Sequence, residues 1–109
     1  MRRPVLRSRL EARLFPLLIE EGLPVPRSNV RLQVGGQRIE VDLLWPEQKV
    51  VIETDGEKTH GTPMAFQRDR KRDQLLLAAG YRIARITWDQ VRDESTAVVN
   101  RIALVLKAT

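Results

Sequence analysis

The sequence predicts an α/β domain with a mixed four-stranded sheet, as one domain over residues 1–109. Apolar residues repeat at helical spacing near both ends of the chain, and strand-like segments lie between them. A helical segment joins the last two strands, and a strand, a helix and a strand at this length imply a right-handed parallel crossover. The expected order is helix, three strands, helix, strand, helix.

The first predicted helix carries leucines at helical spacing. Ser8 and Glu11 have the spacing of a capping box, which would start this helix near residue 9. Pro16 removes one backbone donor, so we expect a kink or a break there. Gly22 is expected to end the helix. The leucines are Leu6, Leu10, Leu14, Leu17 and Leu18.

A β-hairpin is expected after this helix. Gly35-Gly36 supplies the positive φ angles of a tight turn between two alternating segments. In the second segment Ile39, Val41 and Leu43 form an apolar row, which predicts that Asp42 lies on the opposite face.

The remaining elements follow from apolar runs and helix signals. Val50-Val51-Ile52 is continuous and apolar, which is typical of an interior strand. The crossover helix is expected to begin at Pro63 and to stop at Gly80, and the segment 81–88 is predicted as the last strand. A final amphipathic helix is indicated by Val98, Val99, Ile102, Val105 and Leu106.

The composition favours an anionic partner. The chain has 19 basic and 14 acidic residues, a net charge of +5, so nucleic acid is the first expectation. The chain has no cysteine, which excludes disulfides and thiolate zinc sites and favours a reducing, cytoplasmic location. Charged residues interrupt the N-terminal apolar run, so we expect no signal peptide, and no apolar stretch is long enough for a membrane span.

Acidic residues cluster at the expected strand ends. Asp42 lies near the end of one strand, and Glu53 and Asp55 follow the buried run in the next. Burying an acid costs several kcal/mol unless it is paired, and Mg²⁺ prefers hard oxygen ligands of this kind. Glu11 is the candidate to complete the group from the first helix. This pattern in a basic protein indicates a metal site that acts on a polyanion.

Each of these residues also has a purely structural interpretation. Glu11 fits a capping-box acid, and Asp42 fits an edge-strand carboxylate paired with Arg38 or Lys49. His60, the single histidine, fits an ordinary loop residue. On the crossover helix, we expect Asp69 and Asp73 to be half-buried and paired with a strand arginine such as Arg85.

Several linked motifs resemble a family of small endonuclease-like domains. These domains are related to very-short-patch repair endonucleases, belong to the PD-(D/E)XK nuclease superfamily, and often stand at the C-terminus of abortive-infection antitoxin-like proteins. The resemblance rests on Val41-Asp42-Leu43-Leu44-Trp45-Pro46, Val51-Ile52-Glu53-Thr54-Asp55-Gly56 with His60, Phe66-Gln67-Arg68-Asp69-Arg70-Lys71-Arg72-Asp73, Gly80-Tyr81-Arg82 and Thr87-Trp88.

The resemblance implies a restriction-endonuclease-like αβββαβ core, followed here by a C-terminal helix, with the active site at a fork between strands. It makes Asp42 and Glu53 the acids of the two superfamily motifs. Asp55 stands where many members have lysine and would be a third ligand of Mg²⁺, or of Mn²⁺ in its place. His60 would assist proton transfer, and Glu11 matches a helix glutamate of the acidic group.

The resemblance also implies a function, a Mg²⁺-dependent DNA endonuclease that nicks duplex DNA. Cutting both strands would require a homodimer or a second binding event. We expect Lys58, Arg68 and Arg72 to contact DNA. Because the superfamily lysine is absent at Asp55, two alternatives stay open: a catalytically inactive DNA-binding module of the same fold, and an antitoxin-type protein-interaction domain.

Overall fold

The computed structural model describes the backbone of residues 4–55 and 63–107 and the side chains of residues 9–54 and 70–107. The predicted order of elements is confirmed, with one additional short helix before the last. The elements are α1 (Pro4–Glu20), β1 (Arg27–Val34), β2 (Gln37–Trp45), β3 (Val50–Asp55), α2 (Pro63–Ala78), β4 (Arg82–Thr87), α3 (Trp88–Asp93) and α4 (Ser95–Lys107).

The four strands form one mixed sheet in the order β1-β2-β3-β4. β1 pairs with β2, and β2 with β3, in antiparallel fashion. β3 and β4 are parallel, as expected for strands joined by the crossover helix α2. Two apolar clusters cover the sheet. One cluster includes buried side chains of α1, α3 and α4, and the other includes Leu76 of α2. The predicted α/β class is therefore confirmed as a sheet between two helical layers.

Helix α1 begins earlier than predicted and is not split at its internal proline. It runs from Pro4 to Glu20 with Pro16 inside. Proline is tolerated in the first turn of a helix, so Pro4 is compatible with a helix that already includes the residues before residue 9. Leu14 and Leu18 are fully buried on either side of Pro16, and this burial offsets the cost of the missing backbone bond.

Glycines end both long predicted helices, as expected. Gly22 has φ +72°, and the N–H of Leu23 donates to the carbonyl of Leu18 at 2.9 Å. Gly80 has φ +92° and ends α2 in the same way. These bonds satisfy carbonyls in the last turn that have no partner within the helix.

The hairpin turn is confirmed, but the predicted apolar row of β2 is divided. Ile39 and Val41 pack in the cluster that contains α2, whereas Leu43 packs in the other cluster. The division falls at Asp42, which lies opposite Asn29 between two paired positions of the β1–β2 register. Asn29 has φ +56°, outside the extended range, so the regular alternation that the prediction assumed does not hold here.

The end of the last strand also differs from the prediction. β4 stops at Thr87, and Trp88 begins α3 rather than continuing the strand. Thr87 and Gln90 form a capping box, in which the Gln90 N–H donates to the Thr87 hydroxyl at 3.1 Å. Among the helices that the structure describes, none is both long enough and apolar enough to cross a membrane.

Candidate active site

Strands β2 and β3 separate at Asp42 and Glu53. Their ladder consists of Leu43 with Ile52, Leu44 with Val51, and Trp45 with Val50. The next position in this antiparallel register places Asp42 opposite Glu53, and the ladder does not include that pair. The predicted fork between neighbouring strands is therefore present in the fold, with one carboxylate from each strand at its base.

The two carboxylates are held by each other's strands. Oε2 of Glu53 accepts the backbone N–H of Asp42 at 2.9 Å, and Oδ2 of Asp42 accepts the backbone N–H of Thr54 at 2.7 Å. Side chains thus take the hydrogen bonds that a continued ladder would give to backbone carbonyls. Bonds from N–H groups to a carboxylate are charge-assisted, so they fix both side chains firmly.

Both acids are buried. Asp42 and Glu53 are each 5% exposed, and they are the buried charged residues of the described core. A buried carboxylate requires compensation by hydrogen bonds, by an opposite charge or by a cation. The edge-strand interpretation of Asp42 is wrong, because β2 lies between β1 and β3 inside the sheet. The alternative partner Lys49 instead donates to the carbonyl of Ala79 at 2.7 Å.

Arg72 supplies positive charge to the fork from α2. Its Nη1 and Nη2 atoms lie 3.4 Å from Oε1 of Glu53, and Nη2 donates to the carbonyl of Glu40 at 2.7 Å. Sequence reasoning assigned Arg72 to DNA and did not place it at Glu53. The available signal was its position one turn before the buried Leu76, which puts it on the side of α2 that faces the sheet.

A second ion pair lies on the same side of α2. Nη2 of Arg85, on β4, lies 2.9 Å from Oδ1 of Asp73, and the two side chains are 27% and 30% exposed. Arg85 is the register partner of Glu53 in the parallel β3–β4 pair. The predicted half-buried Asp73–Arg85 pair is confirmed, and it attaches α2 to the strand beside the fork.

The structure describes the other predicted site residues only in part. Glu11 lies on α1 and is half-buried. Among the described side chains, no group of three or more His, Cys, Asp or Glu residues is arranged to hold a metal, so Glu11 is not gathered with both fork acids. Its supporting role stays a prediction. Asp55 ends β3, where it pairs with Thr87, and its side chain lies outside the described residues. Lys58, His60 and the side chains of Arg68 and Asp69 also lie outside them.

The fork supplies a donor set suited to a hard divalent cation. Mg²⁺ in proteins is commonly bound by one or two carboxylates, with water and substrate phosphates completing its octahedron. Asp42 and Glu53 are two such carboxylates on adjacent strands, and their hydrogen bonds orient them in advance. These two carboxylates could serve as ligands of such a cation, whereas the side chain of the third predicted ligand, Asp55, lies outside the described residues.

Comparison with solved structures agrees with this architecture. The catalytic domain of the homing endonuclease I-Bth0305I matches the chain with a TM-score of 0.67 and 20% sequence identity. The match covers 91% of this chain and 94% of that domain. At this identity the likeness shows that the two domains share a fold.

Comparison of sequences identifies the family. The uncharacterized proteins MT2308 and Rv2248 of Mycobacterium tuberculosis are each 34% identical to this chain over 94 residues, which are 85% of the chain. The match covers 34% of each relative, so the chain spans about a third of their length. The family model REase_MTES_1575 matches residues 11–106, from the predicted helix glutamate almost to the end of α4. The specific kinship with very-short-patch repair endonucleases stays a prediction, and the chain belongs to the restriction-endonuclease-like family REase_MTES_1575.

Proposed function

We propose that this domain is a metal-dependent DNA endonuclease that hydrolyses phosphodiester bonds and nicks one strand at a time. The observation that carries the proposal is the pair of buried carboxylates, Asp42 and Glu53, at the fork of β2 and β3. The restriction-endonuclease-like family and the fold shared with a homing endonuclease catalytic domain support the same chemistry.

Asp42, Glu53 and Asp55 would hold Mg²⁺, with Mn²⁺ as a substitute. A bound ion of this kind supplies an activated water and neutralises charge on the phosphate. The protein itself contributes by holding the carboxylates in place for the ion. Because backbone N–H groups fix the Asp42 and Glu53 carboxylates before any ligand binds, little reorganisation is needed at the site.

The other predicted residues take supporting roles in this proposal. His60 would accept or orient a proton of the attacking water, and Glu11 would add negative charge to the acidic group from α1. Lys58 and Arg68 would bind phosphates, and the net charge of +5 would draw the domain to duplex DNA in the cytoplasm. One site cuts one strand, so a double-strand break would need a homodimer or a second binding event.

One observation favours a catalytically inactive DNA-binding module as the second candidate. Arg72 already compensates Glu53, and Asp55 stands where the superfamily resemblance places lysine. A fork neutralised in this way is stable without a metal. Such a module would bind DNA with an affinity that falls steeply with salt, and replacing Asp42 would leave that affinity unchanged.

One experiment distinguishes the endonuclease from the inactive DNA-binding module. Purified protein is incubated with supercoiled plasmid, linear duplex, single-stranded DNA and RNA, each with Mg²⁺, with Mn²⁺ or with EDTA, while DNA affinity is measured over a salt series. The endonuclease proposal expects cleavage of DNA in the metal reactions only. Salt-dependent DNA binding with no metal-dependent cleavage of any substrate would support the binding module instead.

A further inference from the structure

The Arg72 side chain is largely buried against Glu53 at the fork, unlike an ordinary surface arginine. Its side chain is 22% exposed, and the Glu53 side chain that it faces is 7% exposed. Both terminal nitrogens point at one oxygen, Oε1 of Glu53, at 3.4 Å. The other oxygen, Oε2, accepts the Asp42 N–H. The two Glu53 oxygens therefore have different partners, a fixed backbone amide and a cationic side chain.

The two partners differ in how readily they can leave. The Asp42 N–H belongs to a strand of the sheet and stays in place as long as the sheet does. Arg72 reaches Glu53 from α2 through a flexible side chain, and its shorter bond, 2.7 Å, is to the Glu40 carbonyl rather than to the carboxylate. The guanidinium can therefore release Oε1 and stay attached to β2, two residues before Asp42.

From these contacts we infer that Arg72 is a positioning residue that acts as the resident counter-ion of Glu53, holding Oε1 until a divalent cation displaces it. The inference rests on the proposed function, because it needs a cation at the fork. It assigns Arg72 a role different from direct DNA contact. Arg72 stabilises the metal-free fold and, by competing for Oε1, sets the metal concentration at which the site fills.

Replacing Arg72 should lower the stability of the metal-free protein and raise its affinity for the metal. Replacing Arg72 with glutamine leaves a buried carboxylate with less compensation, so the metal-free protein becomes less stable. The same change removes both a competitor for Oε1 and a positive charge that repels an incoming cation. Metal affinity is therefore expected to rise in a protein that is less stable, which a purely structural ion pair does not predict.

The test is Mn²⁺ binding by isothermal titration calorimetry, with thermal unfolding measured with and without Mn²⁺. The variants are Arg72→Gln, Arg72→Lys and Lys71→Gln. Lys71 is exposed on the same helix, so Lys71→Gln makes the same charge change outside the fork. Circular dichroism checks that each variant is folded before titration.

We expect Arg72→Gln to bind Mn²⁺ about tenfold more tightly than the wild type. Without metal it should unfold at a temperature lower by on the order of 5 °C, and saturating Mn²⁺ should restore much of this difference. Lys71→Gln should stay within about twofold of the wild-type affinity, given screening at the surface. Arg72→Lys, which keeps the charge, should also stay close to the wild type.

Two contrary results are distinguishable. If the wild type binds Mn²⁺ and Arg72→Gln binds it equally or more weakly, the counter-ion role is wrong while the metal site stands. If the wild type and all variants bind no Mn²⁺, the metal site of the proposed function fails, and the role of Arg72 fails with it.

Discussion

The backbone N–H of Asp42 donates a 2.9 Å hydrogen bond to the carboxylate of Glu53, eleven residues further along the chain. Thr54 returns a bond of 2.7 Å from its own N–H to the carboxylate of Asp42. The candidate metal ligands are therefore also the groups that hold the ends of β2 and β3 together. Substitutions at the fork change folding and chemistry at once, and isosteric variants are needed to separate the two effects.

The first prediction concerns the contribution of the Asp42 side chain to folding, apart from its role in chemistry. Asp42→Ala removes the acceptor of the Thr54 N–H, and leaving this half-buried donor without a partner should cost an amount near the lower end of about 1–3 kcal/mol. Asp42→Asn keeps an oxygen that can accept this bond, so its loss should be smaller by about 1 kcal/mol. Urea denaturation of the two variants and the wild type measures the difference. Equal destabilisation by alanine and asparagine would show that this hydrogen bond does not hold the fork.

The second prediction concerns the glycine that ends α2. Gly80 has φ +92°, and a Cβ there would lie 3.2 Å from Nζ of Lys49, which itself donates to the Ala79 carbonyl. Gly80→Ala should therefore cost about 1–2 kcal/mol in backbone strain and also disturb the lysine. Thermal unfolding measures this loss.

Gly22 provides the matched control for that substitution. It has φ +72°, and a Cβ built there would meet nothing within 4 Å. Gly22→Ala should show the backbone strain alone and lose less stability than Gly80→Ala. A Gly80→Ala variant as stable as the wild type would contradict the assigned left-handed conformation.

The third prediction concerns the Arg85–Asp73 pair beside the fork. Its side chains are about three-quarters buried, at 27% and 30% exposed, so a double-mutant cycle should give a coupling of about 0.5–1 kcal/mol. The Arg92–Asp89 pair on α3 is the control, because its side chains are 40% and 70% exposed. Its coupling should be about 0.3 kcal/mol or less and should disappear in high salt. Equal couplings would mean that burial does not strengthen the Arg85–Asp73 pair.

Much of the fold was predictable because its signals are local. The turn at Gly35-Gly36, the apolar run of β3 and the helix stop at Gly80 each depend on residues close in sequence. The helix α3 was missed because six residues are too few to show helical periodicity. The capping-box spacing of Thr87 and Gln90 was the signal that would have found it.

The site was predictable only as far as strand neighbours could be inferred. Asp42 and Glu53 were expected at one fork, and the strand register places them there. The contact between Arg72 and Glu53 was not predicted, because a run of charges on a helix does not show which cation faces the sheet. That choice is fixed by how α2 packs on β2 and β3, a long-range property of the fold. The division of the β2 row at Asp42 likewise depends on the conformation of Asn29 on the neighbouring strand.

The most direct test of the account is metal-dependent nicking of supercoiled plasmid by the wild type, Asp42→Asn and Glu53→Gln, with Lys71→Gln as the charge control. Circular dichroism establishes that each variant is folded. We expect the wild type to nick with Mg²⁺ or Mn²⁺, Lys71→Gln to stay within a few-fold of it, and both fork variants to lose about 100-fold or more in rate. A wild type with no metal-dependent activity, or fork variants as active as the wild type, would contradict the assignment of Asp42 and Glu53 as the site of hydrolysis.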